Sequence, residues 1–281
     1  MDDHGKKKKA KVLKILVIVA GAMALMSLLG LLFAGYRFNY GPFEKLGDLR
    51  MKNMPGNAEL YRMDTLEELP ESPLKSRKAL FLGSSVTYGY ASLREGIPEY
   101  FAARLGCSFT KEAVNGTTLT DDSDNSYLSR LLRKVDPKES YSLVVVQLST
   151  NDASQKKPLG EIAKGTTLDA FDTHTVTGAM EYIIAYARET WDCPVVFYTG
   201  SRYDSAEYEA MVDRLFELRD KWGIGVLDLW TDDAFNNISD ADRALYMYDP
   251  IHPMKAGYRE WWCPKMETQL LRYLETSGSV K

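Results

Sequence analysis

Residues 78–89 read KALFLGSSVTYG. An apolar run stops at a glycine and two serines, and a mixed polar segment follows. Near-continuous aliphatic runs of this length suit a strand covered on both faces of a parallel sheet. Ser84 and Ser85 then stand at the C-terminal end of that strand. A hydroxyl there either caps the next helix or acts as a nucleophile, and the stretch by itself does not choose.

The pattern repeats along the chain. Strand candidates are 78–83, 108–114, 142–149, 194–200 and 225–230, and helix candidates are about 92–105, 124–135, 177–191, 205–222 and 254–274. Asp204-Ser205 before AEYEAMVDRLFELRDKW, closed by Gly223, reads as a capped start and stop. Strands alternating with helices predict an α/β fold with βαβ crossovers. The expected architecture is a three-layer α/β/α sandwich on a five-stranded parallel, flavodoxin-like doubly wound sheet. Ligands of such sheets bind beyond the carboxyl ends of the strands, where Gly83-Ser84-Ser85 fall.

Upstream the character changes. Residues 15–36 run 22 positions without a charge, behind a basic start, MDDHGKKKKAKVLK. At about 1.5 Å per residue this helix crosses a bilayer core of about 30 Å. No small-x-small cleavage site follows it, since Leu32 heads Leu-Phe-Ala. An uncleaved anchor is the preferred reading, with a cleaved signal peptide as the alternative. Lysines before the span, against Arg37 just after it, place residues 1–14 in the cytoplasm as a basic tail. Residues 15–36 form the transmembrane helix, 37–75 a stalk or irregular extension rich in Gly and Pro, and 76–276 the globular domain, outside the cell membrane.

Residues 1–14 carry six lysines against two aspartates, so the formal −4 of the chain leaves −8 for the rest. An acidic outer part argues against nucleic acid and against broad adhesion to anionic lipid. Cys107, Cys193 and Cys263 are far apart and odd in number, with neither CxxC nor metal-ligand spacing, so they read as three small buried hydrophobes. With 281 residues, 45% hydrophobic, the chain can bury one sizeable core.

A serine hydroxyl needs a base, and the chain has only three histidines. His4 belongs to the tail. His174 lies in FDTHTVTG with Asp172 two residues before it, where helix capping explains the aspartate equally well. His252 lies in YDPIHPMKAGY, three residues after Asp249, in a loop stiffened by Pro250 and Pro253. At that spacing a carboxylate can hold one ring nitrogen while the other faces the serine.

Four segments together resemble the SGNH (GDSL-type) serine hydrolases. FLGSSVTYG is similar to the first family block, EAVNGTTLTD to the second, QLSTNDAS to the third and DPIHPMKAGY to the fifth, in family order, over residues 78 to about 275. The resemblance implies Ser85 as nucleophile, Gly116 and Asn151 as oxyanion-binding groups, and Asp249 with His252 as the acid and base. Two positions depart from the family pattern: Ser84 replaces an aspartate, and Ser149 replaces the glycine of G-x-N-D. In the family neither position supplies the nucleophile or an oxyanion donor, so retained chemistry is expected, and the departures bear on loop shape and substrate fit. Thr87 stands where the second glycine of a G-x-S-x-G elbow would be, so the first block is not that elbow.

The expected activity is hydrolysis of esters, of the esterase and lipase kind, through an acyl-enzyme. Expected substrates are small acyl esters or O-acylated, for example acetylated, carbohydrate. Acyl transfer to envelope glycans and non-catalytic glycan binding are the alternatives. No G-x-G-x-x-G, Walker A or H-E-x-x-H pattern occurs, so no cofactor or metal is expected.

Overall fold

Burial is continuous along the central strands, while successive residues join different apolar clusters, as a sheet covered on both faces requires. Leu80 and Leu82 pack with Val144, Val146 and Phe197 in one apolar cluster, while their neighbours Ala79 and Phe81 join Leu143, Val145 and Val196 in another. Successive side chains of a strand point to opposite faces, so one run of sequence feeds two cores. The computed structural model describes residues 3–38, 41–43 and 45–277. Residues 1 and 2 of the basic tail, and 39, 40 and 44 of the extension, lie outside them.

Two compact units are present, Met1–Met54 and Pro55–Lys281. The first holds helix α1 (Asp3–Phe38) and the short α2 (Leu46–Lys52). Within α1, Lys11–Arg37 is long and apolar enough to cross a membrane, with a mean hydropathy of 2.7 in its most apolar window and none of that window buried.

The second unit carries five parallel strands: β1 (Lys78–Gly83), β2 (Ser108–Ala113), β3 (Leu143–Gln147), β4 (Val195–Tyr198) and β5 (Gly225–Leu227). Their spatial order is β2-β1-β3-β4-β5. The one-turn α3 (Ser85–Tyr88) and α4 (Ile97–Leu105) connect β1 to β2, and α5 (Tyr127–Lys134) connects β2 to β3. After β3 come α6 (Thr150–Ser154) and α7 (Val176–Trp191), and α8 (Ala206–Trp222) joins β4 to β5. The chain ends through α9 (Asp233–Asn236), α10 (Asp240–Tyr246), a π-helical stretch (Gly257–Trp262) and α11 (Cys263–Ser277). Leu128, Leu131, Ile183, Ile184 and Leu215 from α5, α7 and α8 cover one face, and Ile97, Phe101, Leu105, Met266 and Leu270 from α4 and α11 cover the other. The fold is the expected three-layer α/β/α sandwich.

Some boundaries differ from the sequence expectation for local reasons. The helix expected from 92 starts at Ile97, because Gly96 is its N-cap, Pro98 sits in its first turn, and Glu99 accepts the Gly96 N–H at 2.8 Å. Strand β5 stops at Leu227 because Thr199 Oγ1 accepts the N–H groups of Leu229 and Trp230 and turns the chain. Thr175, rather than Asp172, caps α7 by accepting the Gly178 N–H. Residues 55–75 fall inside the second unit. Asn57 donates to the Ala91 carbonyl at 2.8 Å and accepts from Lys255 N–H at 3.0 Å, and Met63 N–H donates to Glu95.

Candidate active site

Strand β1 ends against α3 so closely that only glycine fits the junction: a Cβ on Gly83 would lie 1.8 Å from Thr87 Oγ1. Ser84 takes the N-cap position of α3 without a side-chain capping bond. The turn's orphan N–H groups instead find an acceptor in Gln147, the last residue of β3. Its Oε1 accepts from Ser84 N–H at 3.0 Å and Thr87 N–H at 3.1 Å, and its Nε2 donates to Ser84 Oγ at 3.0 Å. The Ser84 hydroxyl is thus fully buried and engaged.

Ser85 is different. Its Oγ lies 2.8 Å from His252 Nε2. His252 Nδ1 lies 2.9 and 2.8 Å from the two Asp249 carboxylate oxygens. The loop that brings them together is folded by the aspartate itself, because Asp249 Oδ1 also accepts the N–H groups of Ile251 and His252, each at 2.8 Å. Burial works against the Asp249 charge. The hydrogen bond and charge of His252, with those two N–H groups, outweigh it and hold the carboxyl below its ordinary pKa. An antiparallel bridge between Met247 and Pro253 closes the loop, and the Tyr90 ring stands 5.0 Å from the imidazole. Serine, imidazole and carboxylate therefore form one hydrogen-bonded chain.

The other two expected residues sit on neighbouring loops. Gly116, after β2, has φ +76°, a left-handed conformation that favours glycine. Asn151 lies in the first turn of α6, and its Nδ2 donates to the Thr117 carbonyl at 2.9 Å, joining the loop after β3 to the loop after β2. Asp152 makes a second link by accepting from Leu119 N–H at 2.7 Å and Thr120 N–H at 3.1 Å. Desolvation raises the Asp152 pKa despite those bonds. Ser149, in place of the family glycine, caps α6 by accepting the Asp152 N–H at 3.2 Å. His174 lies outside this cluster, exposed and 3.2 Å from Asp122.

Two further positioning residues escaped the sequence reading. Gln147 is one, and its only signal was a polar residue closing the run LVVVQ. The other is Arg130 of α5, wholly buried. Its guanidinium donates to the carbonyls of Gly83 at 2.7 Å, Glu112 at 2.7 Å and Asn125 at 3.0 Å, and to Thr117 Oγ1 at 3.2 Å. One cation thereby ties the end of β1 to the loop that carries Gly116. Among the described residues no group of three or more His, Cys, Asp or Glu could hold a metal ion.

The fold and this site define the class, a three-layer α/β/α protein with a serine at the end of the first strand of its parallel sheet. The chain belongs to the GDSL-like lipase/acylhydrolase family, whose profile matches residues 81–260. Similar solved structures include a protein from Lactobacillus plantarum, 19% identical, with a TM-score of 0.56 over 72% of this chain and 98% of that one. A possible lipase from Chitinophaga pinensis is 16% identical, with a TM-score of 0.51 over 72% and 99%. A family two carbohydrate esterase from Clostridium thermocellum, solved in complex with cellohexaose, is 18% identical, with a TM-score of 0.50 over 75% of this chain and 67% of that one. At these identities the likeness is one of fold. No curated protein sequence matches.

Proposed function

We propose that this protein is a membrane-anchored serine esterase whose catalytic unit faces away from the cytoplasm. The observation that carries the reading is the Ser85–His252–Asp249 chain, with its 2.8 Å contact between hydroxyl and imidazole. In this mechanism Ser85 Oγ attacks the ester carbonyl carbon while His252 Nε2 takes its proton. The tetrahedral intermediate collapses, the C–O bond to the alcohol breaks, and His252 returns the proton to the leaving oxygen. Water repeats the sequence on the acyl-enzyme, so the acid leaves and Ser85 regains its proton. Asp249 fixes the imidazole tautomer and stabilises the imidazolium. The N–H groups of Ser85 and Gly116, with the Asn151 amide, bind the oxyanion, and one such donor is typically worth about 10²–10³ in rate.

The substrate is an acyl ester, and O-acylated carbohydrate is the favoured class. Two features support that choice: an N-terminal helix long and apolar enough to cross a membrane, and the carbohydrate esterase among the structural neighbours. Acyl transfer uses the same acyl-enzyme with a sugar hydroxyl in place of water. The test is to incubate the detergent-solubilised full chain with a panel of acyl esters, with and without an oligosaccharide acceptor. Release of free acid regardless of acceptor supports hydrolysis. Acyl groups recovered on the sugar would make it a transferase, and no reaction with any ester would end the reading.

A further inference from the structure

Two tyrosines from different loops meet beside the His252 imidazole. The Tyr90 ring stands 5.0 Å from that of His252, tilted by 53°, and Tyr248 packs against Tyr90 edge to face at 6.3 Å. Each is pinned through its backbone to one of the reacting pair. Tyr90 N–H donates to the Ser85 carbonyl at 3.0 Å, and Tyr248 N–H donates to the His252 carbonyl at 2.9 Å. Asn57 ties the two loops to each other, donating to the Ala91 carbonyl at 2.8 Å and accepting from Lys255 N–H at 3.0 Å. Tyr127, Tyr198 and Tyr208 are closed off in the core, whereas Tyr90 and Tyr248 are only half-buried. The His252 side chain beside them is 18% exposed.

A general acid must come within about 2.6–3.2 Å of the oxygen it protonates. The leaving oxygen of an ester on Ser85 therefore passes beside His252 Nε2, and the alcohol it carries lies against what flanks the imidazole. The expected oxyanion donors come from the loops after β2 and β3. The two tyrosines come instead with Ser85 and His252 themselves. Tyrosine offers a large, rigid, amphipathic surface with few torsions to freeze when a ligand covers it.

Resting on the serine esterase reading, we infer that Tyr90 and Tyr248 form the wall of the alcohol subsite, and that this wall takes the flat face of a ring-bearing alcohol, a pyranose or an aryl group. A small alkyl alcohol covers little of such a surface and a six-membered ring covers more, so burial favours the ring.

The test measures kcat/KM of the full chain in detergent on three acetates of primary alcohols: methyl 6-O-acetyl-glucopyranoside, 2-phenylethyl acetate and 2-methoxyethyl acetate. The wild type should favour a ring ester over the acyclic one by about tenfold. Preference for the glucoside makes the alcohol a sugar, and preference for the phenylethyl ester makes it an aryl alcohol; either supports the wall. In Tyr90→Ala and Tyr248→Ala the ring-to-acyclic ratio should drop roughly three- to tenfold, while Tyr90→Phe and Tyr248→Phe, which keep the rings, should hold it. Comparing ratios between variants cancels the different intrinsic reactivity of the esters. Tyrosines that served only to hold His252 would lower all three rates alike. An unchanged ratio in a folded alanine variant therefore overturns the wall, and so does a wild type that cleaves the acyclic ester as fast as both ring esters. Thermal melting identifies the folded variants, and if neither alanine variant folds the wild-type preference decides. Fluorophosphonate labelling at Ser85 without any ring preference sinks the wall alone. Absence of both labelling and hydrolysis removes the esterase reading and the wall with it.

Discussion

In the proposed mechanism His252 carries two jobs at one atom, accepting the Ser85 proton and returning it to the leaving alcohol, and among the described residues no other imidazole lies beside Ser85. His174 is exposed and pairs with Asp122 rather than with a serine. His252→Ala should therefore lower kcat by several orders of magnitude, as loss of a triad member does. His174→Ala should leave kcat within about twofold in the same ester assay. Asp249→Asn should do less damage than His252→Ala, because Asp249 orients the ring and moves no proton. Asp249 also links the site to stability. Its folded pKa lies below the ordinary carboxylate value, so its contribution is complete above that value and is lost as pH falls through the depressed one. Wild type should melt higher than Asp249→Asn at neutral pH, and the gap should close on acidification below the ordinary carboxylate range. A gap that widens in acid would contradict the assignment. At this scale the site was largely legible, because three histidines and one D-x-x-H spacing left few choices. Gln147 and Arg130 were not, because each acts on backbone groups that only the folded chain brings within reach.

Between elements, Arg130 and Gln147 show what keeps the strand ends in register. Arg130 reaches from α5 to the carbonyls of Gly83 and Glu112, at the ends of β1 and β2. Arg130→Met takes these donors from the Gly83 and Glu112 carbonyls, leaving Gly83 the Val114 N–H at 3.4 Å, and removes the nearer of the two cations beside the Glu112 carboxylate. Denaturant melts should show a loss of about 3–5 kcal/mol. A loss under 1 kcal/mol would mean that the brace is dispensable. Gln147→Leu should act more locally, stranding the N–H groups of Ser84 and Thr87 at a cost of about 1–3 kcal/mol each. The strands themselves were readable because burial on both faces forces unbroken aliphatic runs, as in LVVVQ. The ends were less so. Side chains such as Thr199 and Glu99 decide where β5 stops and α4 starts, and neither acts through periodicity.

At the scale of the whole molecule, the sequence divides where its composition changes, but the compact second unit begins earlier than the apolar periodicity does. Residues 55–75 lack that periodicity and still join the unit through single polar contacts, such as Asn57 with Ala91 and Lys255. The proposed topology predicts that protease added to intact cells trims the protein to a short N-terminal stub. Full protection, with the membrane as the sole barrier, would reverse it. Ser84 and Ser85 are adjacent with opposite surroundings, one held by Gln147 and one facing His252, so the proposed acyl-enzyme requires that Ser85 alone be acylated. The most direct measurement is fluorophosphonate labelling of wild type, Ser84→Ala and Ser85→Ala, with peptide mapping of the modified site. Labelling at Ser85 that persists in folded Ser84→Ala and vanishes in folded Ser85→Ala is the predicted result. Labelling that survives in Ser85→Ala, or maps to Ser84, would contradict it.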